Sequence, residues 1–291
     1  MISKSKSSSW TATAAMSTFV LLWGSAAIFT RWALDHSSVL AVLILRYGLA
    51  LGVLLLIGLP SRCSLPKPGT RWQVASTGLL LIGSYSVCYF QAMAHGVTPG
   101  LLATMLGVQP ILTLLLTERR FSTWRLLGLL LSLAGLMLVV YQSLIRAKLS
   151  MLGMGFTLGA LLSMTFGAIL QKRIQQAPAN VLPLQYLVTL MLYLCFVPFQ
   201  PFHFEANIVF LIPLLYLGLV ISVGAQLLLY RLIRSGNVVN VTSLFYLVPV
   251  VTVVLDYQIL GNAMPMPAIA GMVAILAGLL LVFRKQTPKD D

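Results

Sequence analysis

One arginine and one aspartate stand inside otherwise apolar stretches of this chain, Arg46 and Asp256. Arg46 sits about seven residues from one end of its stretch, which is roughly 10 Å deep at 1.5 Å of rise per helical residue. A guanidinium at that depth can hold a carboxylate through two parallel hydrogen bonds. It can equally snorkel outward or tie helices together through backbone carbonyls, and the residues leave both readings open. Asp256 shares a helical face with Thr242, Tyr246, Pro249 and Val253. Such a carboxylate is a candidate proton or cation acceptor, or else a residue in contact with water at the end of its helix. The first apolar stretch contains no acidic residue.

Around these two stand aromatic and amide side chains. Trp23 lies mid-stretch, and Tyr85 and Tyr89 accompany Ser84, Ser86 and Gln91; Gln226 accompanies Ser222 and Tyr230. Convergent aromatics with a few polar groups are what a small-molecule cavity needs. The candidate substrate-binding set is Trp23, Arg46, Tyr85, Tyr89, Gln109, Phe166, Gln226 and Tyr246, although single Tyr or Trp residues also serve as packing or interface anchors. Pro110 and Pro249 each remove a backbone hydrogen bond and are expected to bend their helices. His95, Glu118 and Glu205 read as interfacial. With three His and no metal cluster, nucleotide loop or catalytic triad in the sequence, we expect no cofactor, no metal site and no enzyme activity.

The elements that must position these groups follow from composition. The 291 residues are 59% hydrophobic and 9% charged, far from the ~25% charge of ordinary soluble domains. Ten apolar segments approach the roughly 20 residues that cross a bilayer. They run 11–34, 39–59, 72–93, 98–117, 124–141, 151–171, 180–199, 207–230, 237–257 and 267–283. The expected fold is therefore an all-α integral membrane bundle of ten transmembrane helices. Lys4 and Lys6 precede the first segment as in a secretory leader, but the apolar run is too long for one and reads as an uncleaved span.

The net charge of +13 could suggest nucleic acid, yet its placement argues for topology. With the N-terminus inside, fifteen of the 19 Lys and Arg fall at the cytoplasmic ends, three at the other side and Arg46 within a span. By the positive-inside rule both termini are cytoplasmic, and no nucleic-acid partner is expected. Of the cysteines, Cys63 falls in a cytoplasmic loop and Cys88 and Cys195 in spans, so no disulfide is expected.

The chain also repeats itself. Gly96 precedes Pro110 as Gly236 precedes Pro249, and Gly128/Gly135 recur as Gly271/Gly278 at the same spacing of seven. Trp23-Gly24 corresponds to Phe166-Gly167, and Leu45-Arg46-Tyr47 to Leu184-Gln185-Tyr186. Two repeats of five spans must be inverted relative to one another, which is the geometry of alternating access around a site between the halves. The repeats are read as 11–141 and 151–283, with cytoplasmic tails 1–10 and 284–291. Small residues every four positions, at Gly155, Gly159, Ser163 and Gly167 and at Gly48 and Gly52, predict close helix packing within one bundle. A monomer is expected rather than a dimer.

These motifs together resemble the drug/metabolite transporter superfamily, and within it the EamA-type ten-helix exporters. Leu22-Trp23-Gly24-Ser25, Leu45-Arg46-Tyr47, Pro110, Glu118-Arg119 and Gly128/Gly135 carry the resemblance in the first half, and Pro249 and Gly271/Gly278 in the second. The usual Gly-Glu pair of the second half is replaced by Gly261-Asn262. The resemblance implies export of small metabolites, amino acids or drugs across a cell membrane, here the bacterial inner membrane. It also implies small-molecule and lipid partners. Multidrug or cation efflux is the alternative; a passive channel or an intramembrane enzyme fits less well.

Overall fold

The computed structural model describes residues 3–58, 65–145, 150–260 and 265–284, with side chains for all of these except 3–13, 143, 252 and 255–260. Cys63, Arg146, Lys148, the Gly261-Asn262 pair and the tail from 285 lie outside the described residues, as does the side chain of Asp256. We label the helical segments in order. They are α1 (Ser3–Leu34), α2 (Val39–Gly58), α3 (Arg71–Ala94), α4 (Pro99–Thr117), α5 (Thr123–Val139), α6 (Met151–Arg173), α7 (Pro178–Phe199) and α8 (Ile208–Ser235). The ninth, α9, joins Val238–Ser243, Leu244–Tyr246 and Leu247–Leu260, and α10 is Met266–Phe283. No strand occurs among the described residues, which form one isolated bridge between Ser37 and Phe204. Eight segments are long and apolar enough to cross a membrane, and two shorter apolar ones accompany them, Thr123–Val139 and Val238–Val251. The first helix begins inside the stretch read as a tail, at Ser3.

Helix starts follow from capping chemistry. Thr98, Ser150 and Asn207 each accept a hydrogen bond from a backbone N–H of the first turn they open, and Asn237 accepts two. Pro99 and Pro178 occupy the first helical positions, where a missing N–H costs nothing.

Two kinds of irregularity recur in both halves. The third and eighth helices each contain a wider π-helical stretch, Leu79–Ser84 and Tyr216–Ala225. The fourth and ninth are broken ahead of their prolines. In α4 one helix ends at Leu106 and another starts at Gln109, because Pro110 has no N–H to offer the Leu106 carbonyl and its ring crowds it. In α9 a 3-10 turn, Leu244–Tyr246, precedes Pro249.

Glycines fix the crossings. A Cβ on Gly128 would lie 2.6 Å from the Gly278 carbonyl oxygen, and one on Gly135 would lie 2.7 Å from that of Gly271. The reciprocal pairing means that α5 and α10 run antiparallel with their backbones touching. On α6, Gly167 abuts Leu81 and Gly159 abuts Cys88 of α3, as the four-residue stripe predicts. Gly48, Gly52 and Gly155 instead meet nothing within 4 Å, so the stripe on α2 is not a close crossing.

The candidate functional cavity

A cavity of about 210 Å³ lies at the centre of the bundle, lined from α1, α2, α3, α4, α6, α8 and α9. Its walls are mainly apolar and aromatic. Trp23 packs edge-on against Phe245 with ring centroids 5.5 Å apart, and Tyr85 stands 5.8 Å from Tyr89. Of the eight residues in the sequence-derived set, Trp23, Arg46, Tyr85, Tyr89, Gln109 and Gln226 line this cavity, and so does Pro249.

Arg46 is the charged residue among the described lining. Its Nε donates to Ser222 Oγ at 2.6 Å, and Ser222 Oγ in turn donates to the Leu217 carbonyl at 2.8 Å. That second bond spans five residues, so the π-helical winding of α8 is what turns the hydroxyl toward the arginine. Tyr186 holds the same serine by donating its hydroxyl to the Ser222 carbonyl. The Arg46 carbon lies 5.1 Å from the Tyr47 ring centroid, and Tyr47 is pinned by a 2.6 Å hydrogen bond to Ser86. Orientation is thus fixed through one nitrogen. No described carboxylate pairs with this guanidinium, and the residue lines the cavity.

Gln109 is the second polar group of note. It is 2% exposed, lines the cavity, and its Nε2 has no hydrogen-bond partner. The break in α4 places it there, as the first residue of the new helix.

Two of the set lie elsewhere. Phe166 is 46% exposed on the outer surface of the bundle. Its neighbour Gly167 must face α3 at close range, which turns Phe166 away; Met164 lines the cavity from α6 instead. Tyr246 is buried behind the wall and donates its hydroxyl to the Gly107 carbonyl at 2.6 Å. It was placed on the Pro249 face by a constant 3.6-residue period. Three residues at 3.0 per turn rotate the chain by about 60° more, which brings Phe245 into the cavity in its place. Pro110 is buried outside the lining. Of the face read from Thr242 to Asp256, Pro249 and Val253 line the cavity and Thr242 and Tyr246 do not, while the side chain of Asp256 lies outside the described residues.

The cavity reaches toward the end of the bundle where α1 stops and α4 starts, through Thr30, Pro99, Gly100 and Val140. At the opposite end the chain is tied shut. Arg125, only 9% exposed, donates from Nη1 to both Glu118 oxygens at 2.6 and 2.7 Å. Its Nη2 donates to Asn237 Oδ1 at 2.9 Å and Asn240 Oδ1 at 2.7 Å, leaving Nε as the one nitrogen without a partner. Lys172 adds bonds to the carbonyls of Arg234 and Gly236 at 2.9 and 2.6 Å. The sequence reading treated Glu118 as interfacial and Arg125 only as a topology charge. Their spacing of seven across a loop carries no periodic signal, and nothing in the sequence singles out Asn237 or Asn240 as their partners. On the far side His36 meets Glu205 at 2.8 Å; hydrogen bonds from His36 and Asn207 hold this carboxyl below the usual carboxylate range.

An all-helical, multi-pass membrane protein with one aromatic cavity at its centre is the class that these features define. The chain belongs to the EamA-like transporter family, which matches it twice, over residues 10–141 and 151–284. It is 24% identical over 283 residues to a probable amino-acid metabolite efflux pump of Salmonella typhimurium, covering 90% of this chain and 91% of that one. It is 25% identical over 272 residues to Protein PecM of Dickeya dadantii, covering 90% and 88%. A solved crystal structure superposes with a TM-score of 0.77 at 20% identity, over 94% of this chain and 98% of the other. At that identity the likeness speaks to fold alone.

Proposed function

We propose that this protein exports small metabolites by alternating access. Ten spans form two inverted five-helix repeats, 11–141 and 151–283, and both termini lie on the cytoplasmic side of a bacterial inner membrane. The observation that carries this reading is the one-sided cavity. Both halves line it, it reaches toward one end, and at the other end Arg125 binds the first half to Asn237 and Asn240 of the second. Basic residues put the tied end in the cytoplasm, so the cavity faces outward. Inward opening would break the Arg125 contacts while the glycine crossing of α5 and α10 persists. The antiparallel Gly128–Gly278 and Gly135–Gly271 pairs support the inversion, and the name of the Salmonella relative supports metabolite export.

Size favours metabolites over drugs. A cavity of about 210 Å³ is below the ~300–1,000 Å³ typical of sites for drug-sized ligands. The test is counterflow in proteoliposomes loaded with unlabelled amino acids or aromatic acids. Transport by alternating access speeds entry of the labelled compound when its unlabelled form is inside. A channel conducts without that trans-stimulation, and its behaviour would overturn the reading.

A further inference from the structure

Gln109 is an anomaly that the walls of the cavity do not explain. An amide buried to 2% exposure with an unpartnered Nε2 loses its bonds to water and gains nothing from the protein. Buried amides elsewhere in this chain are satisfied. Gln185, fully buried, donates to Val74 O and Gln171 Oε1 and accepts from Tyr230. What distinguishes Gln109 is that it borders the cavity, where a ligand can supply the missing partner. Arg46 has the same character. One nitrogen is fixed to Ser222 and the others point to no described carboxylate.

We propose that Arg46 and Gln109 form a two-point anion subsite: Arg46 takes the carboxylate of a small organic acid, Gln109 bonds a second polar group on the same molecule, and the aromatic walls take its apolar body. This rests on the exporter reading above and names its substrate class. The arrangement selects for charge as well as shape. A guanidinium rejects an amine that lacks a carboxylate, since bringing the two cations together costs both their hydration and their repulsion. A hydrogen-bonding site left unfilled likewise rejects the analogue without the matching group. Cations can still be attracted by Trp23, Tyr85, Tyr89 and Phe245, so the aromatic walls make the opposite prediction and the experiment decides between them.

The probes are three compounds of one size: 3-phenylpropionate, 2-hydroxy-3-phenylpropionate and phenethylamine. Binding to the purified full-length protein is read by calorimetry, and each variant is checked by thermal melting. The two acids should bind and the amine should not. Arg46→Gln should weaken both acids by about thirtyfold or more, and Arg46→Lys should recover part of the loss. Gln109→Leu should weaken the hydroxy acid by about tenfold and leave 3-phenylpropionate within about twofold. Binding of phenethylamine in preference to the acids overturns the proposal. So does equal loss of both acids in Gln109→Leu, or an unchanged hydroxy acid in a folded variant. Acids that bind as expected but show no counterflow would overturn the exporter reading and leave the subsite standing.

Discussion

Arg46 and Gln185 occupy matching places in the two halves, and the structure treats them in opposite ways. Gly78, where the π-helical stretch of α3 begins, lies against Gln185, and Gly218 in that of α8 lies against the Arg46 carbonyl and Leu49. A glycine of a π-helical segment or of its start thus abuts each helix near the position compared. Gln185 is sealed from solvent inside a closed net of Val74, Gln171 and Tyr230. Arg46 donates from Nε to Ser222 and lines the cavity. A neutral amide has few enough donors for the protein to satisfy internally, whereas five guanidinium donors call for more acceptors than the apolar wall holds. Of the two corresponding positions, one is closed into the core and the other borders the cavity.

The strongest way to break this comparison is to exchange the residues. Gln185→Arg should destabilise the protein by at least about 4 kcal/mol, because an unpaired charge would be forced into a closed net. Arg46→Gln should change stability by less than about 1 kcal/mol, since the cavity already solvates that position. Thermal unfolding in detergent compares the two, and equal costs would mean that the niches are not different in kind.

A second contrast sets the tied end against the open one. Arg125→Ala leaves Glu118 without its cation, keeping only the Asn237 amide at 3.1 Å, and should cost about 3–5 kcal/mol at that end. A cysteine introduced at the buried Ser243, in a background lacking native cysteines, should then react with a polar thiol reagent added from the cytoplasmic side. Labelling no faster than with Arg125 intact would show that this cluster does not hold the inner end closed.

The paired helix breaks offer a smaller effect. Gly107 and Tyr246 each stand three residues before a proline, and the tyrosine of one half mends the carbonyl freed in the other. Tyr246→Phe should cost about 1–3 kcal/mol by leaving that carbonyl unsatisfied. A stability loss below about 0.5 kcal/mol would remove Tyr246 from this role. The smallest effect belongs to Glu205. Its folded-state pKa is depressed by His36 and Asn207, so its contribution is present above the ordinary carboxylate value and fades as pH falls through the folded one. The protection factor of amides at the Ser37–Phe204 bridge, taken relative to intrinsic exchange at each pH, should fall in that acid window in the wild type, and Glu205→Gln should remove that fall.

Much of the fold was legible because its causes are local. Hydrophobic runs marked the helices, and the four-residue stripe on α6 and the glycines of α5 and α10 marked real crossings. The prolines marked where the fourth and ninth helices break. The stripe on α2 misled, since spacing cannot say whether a small residue meets a neighbour or lipid. The site was legible in its residue types more than in its directions. Six of eight candidates line the cavity, but Tyr246 and Phe166 were lost to a change of helical period and to the demands of a glycine beside them. Phe245 and Met164, which replaced them, carry no polar signal. The Arg125 cluster joins residues 112 and 115 positions apart, and no pattern within one helix announces such a bond.

The glycine contact between α5 and α10 has a mechanical meaning. Where glycine faces glycine across the contact, those four positions present no knobs of their own that must leave one hole and find another when the angle changes. In the alternating-access reading proposed above, this line is where one half would roll on the other, while the packed flanks would set the end points. A Cβ added at Gly135 or Gly271 would lie within 3 Å of the opposite backbone and act like grit in a bearing: it would prise the axle apart and stiffen the motion before it disturbed the cavity.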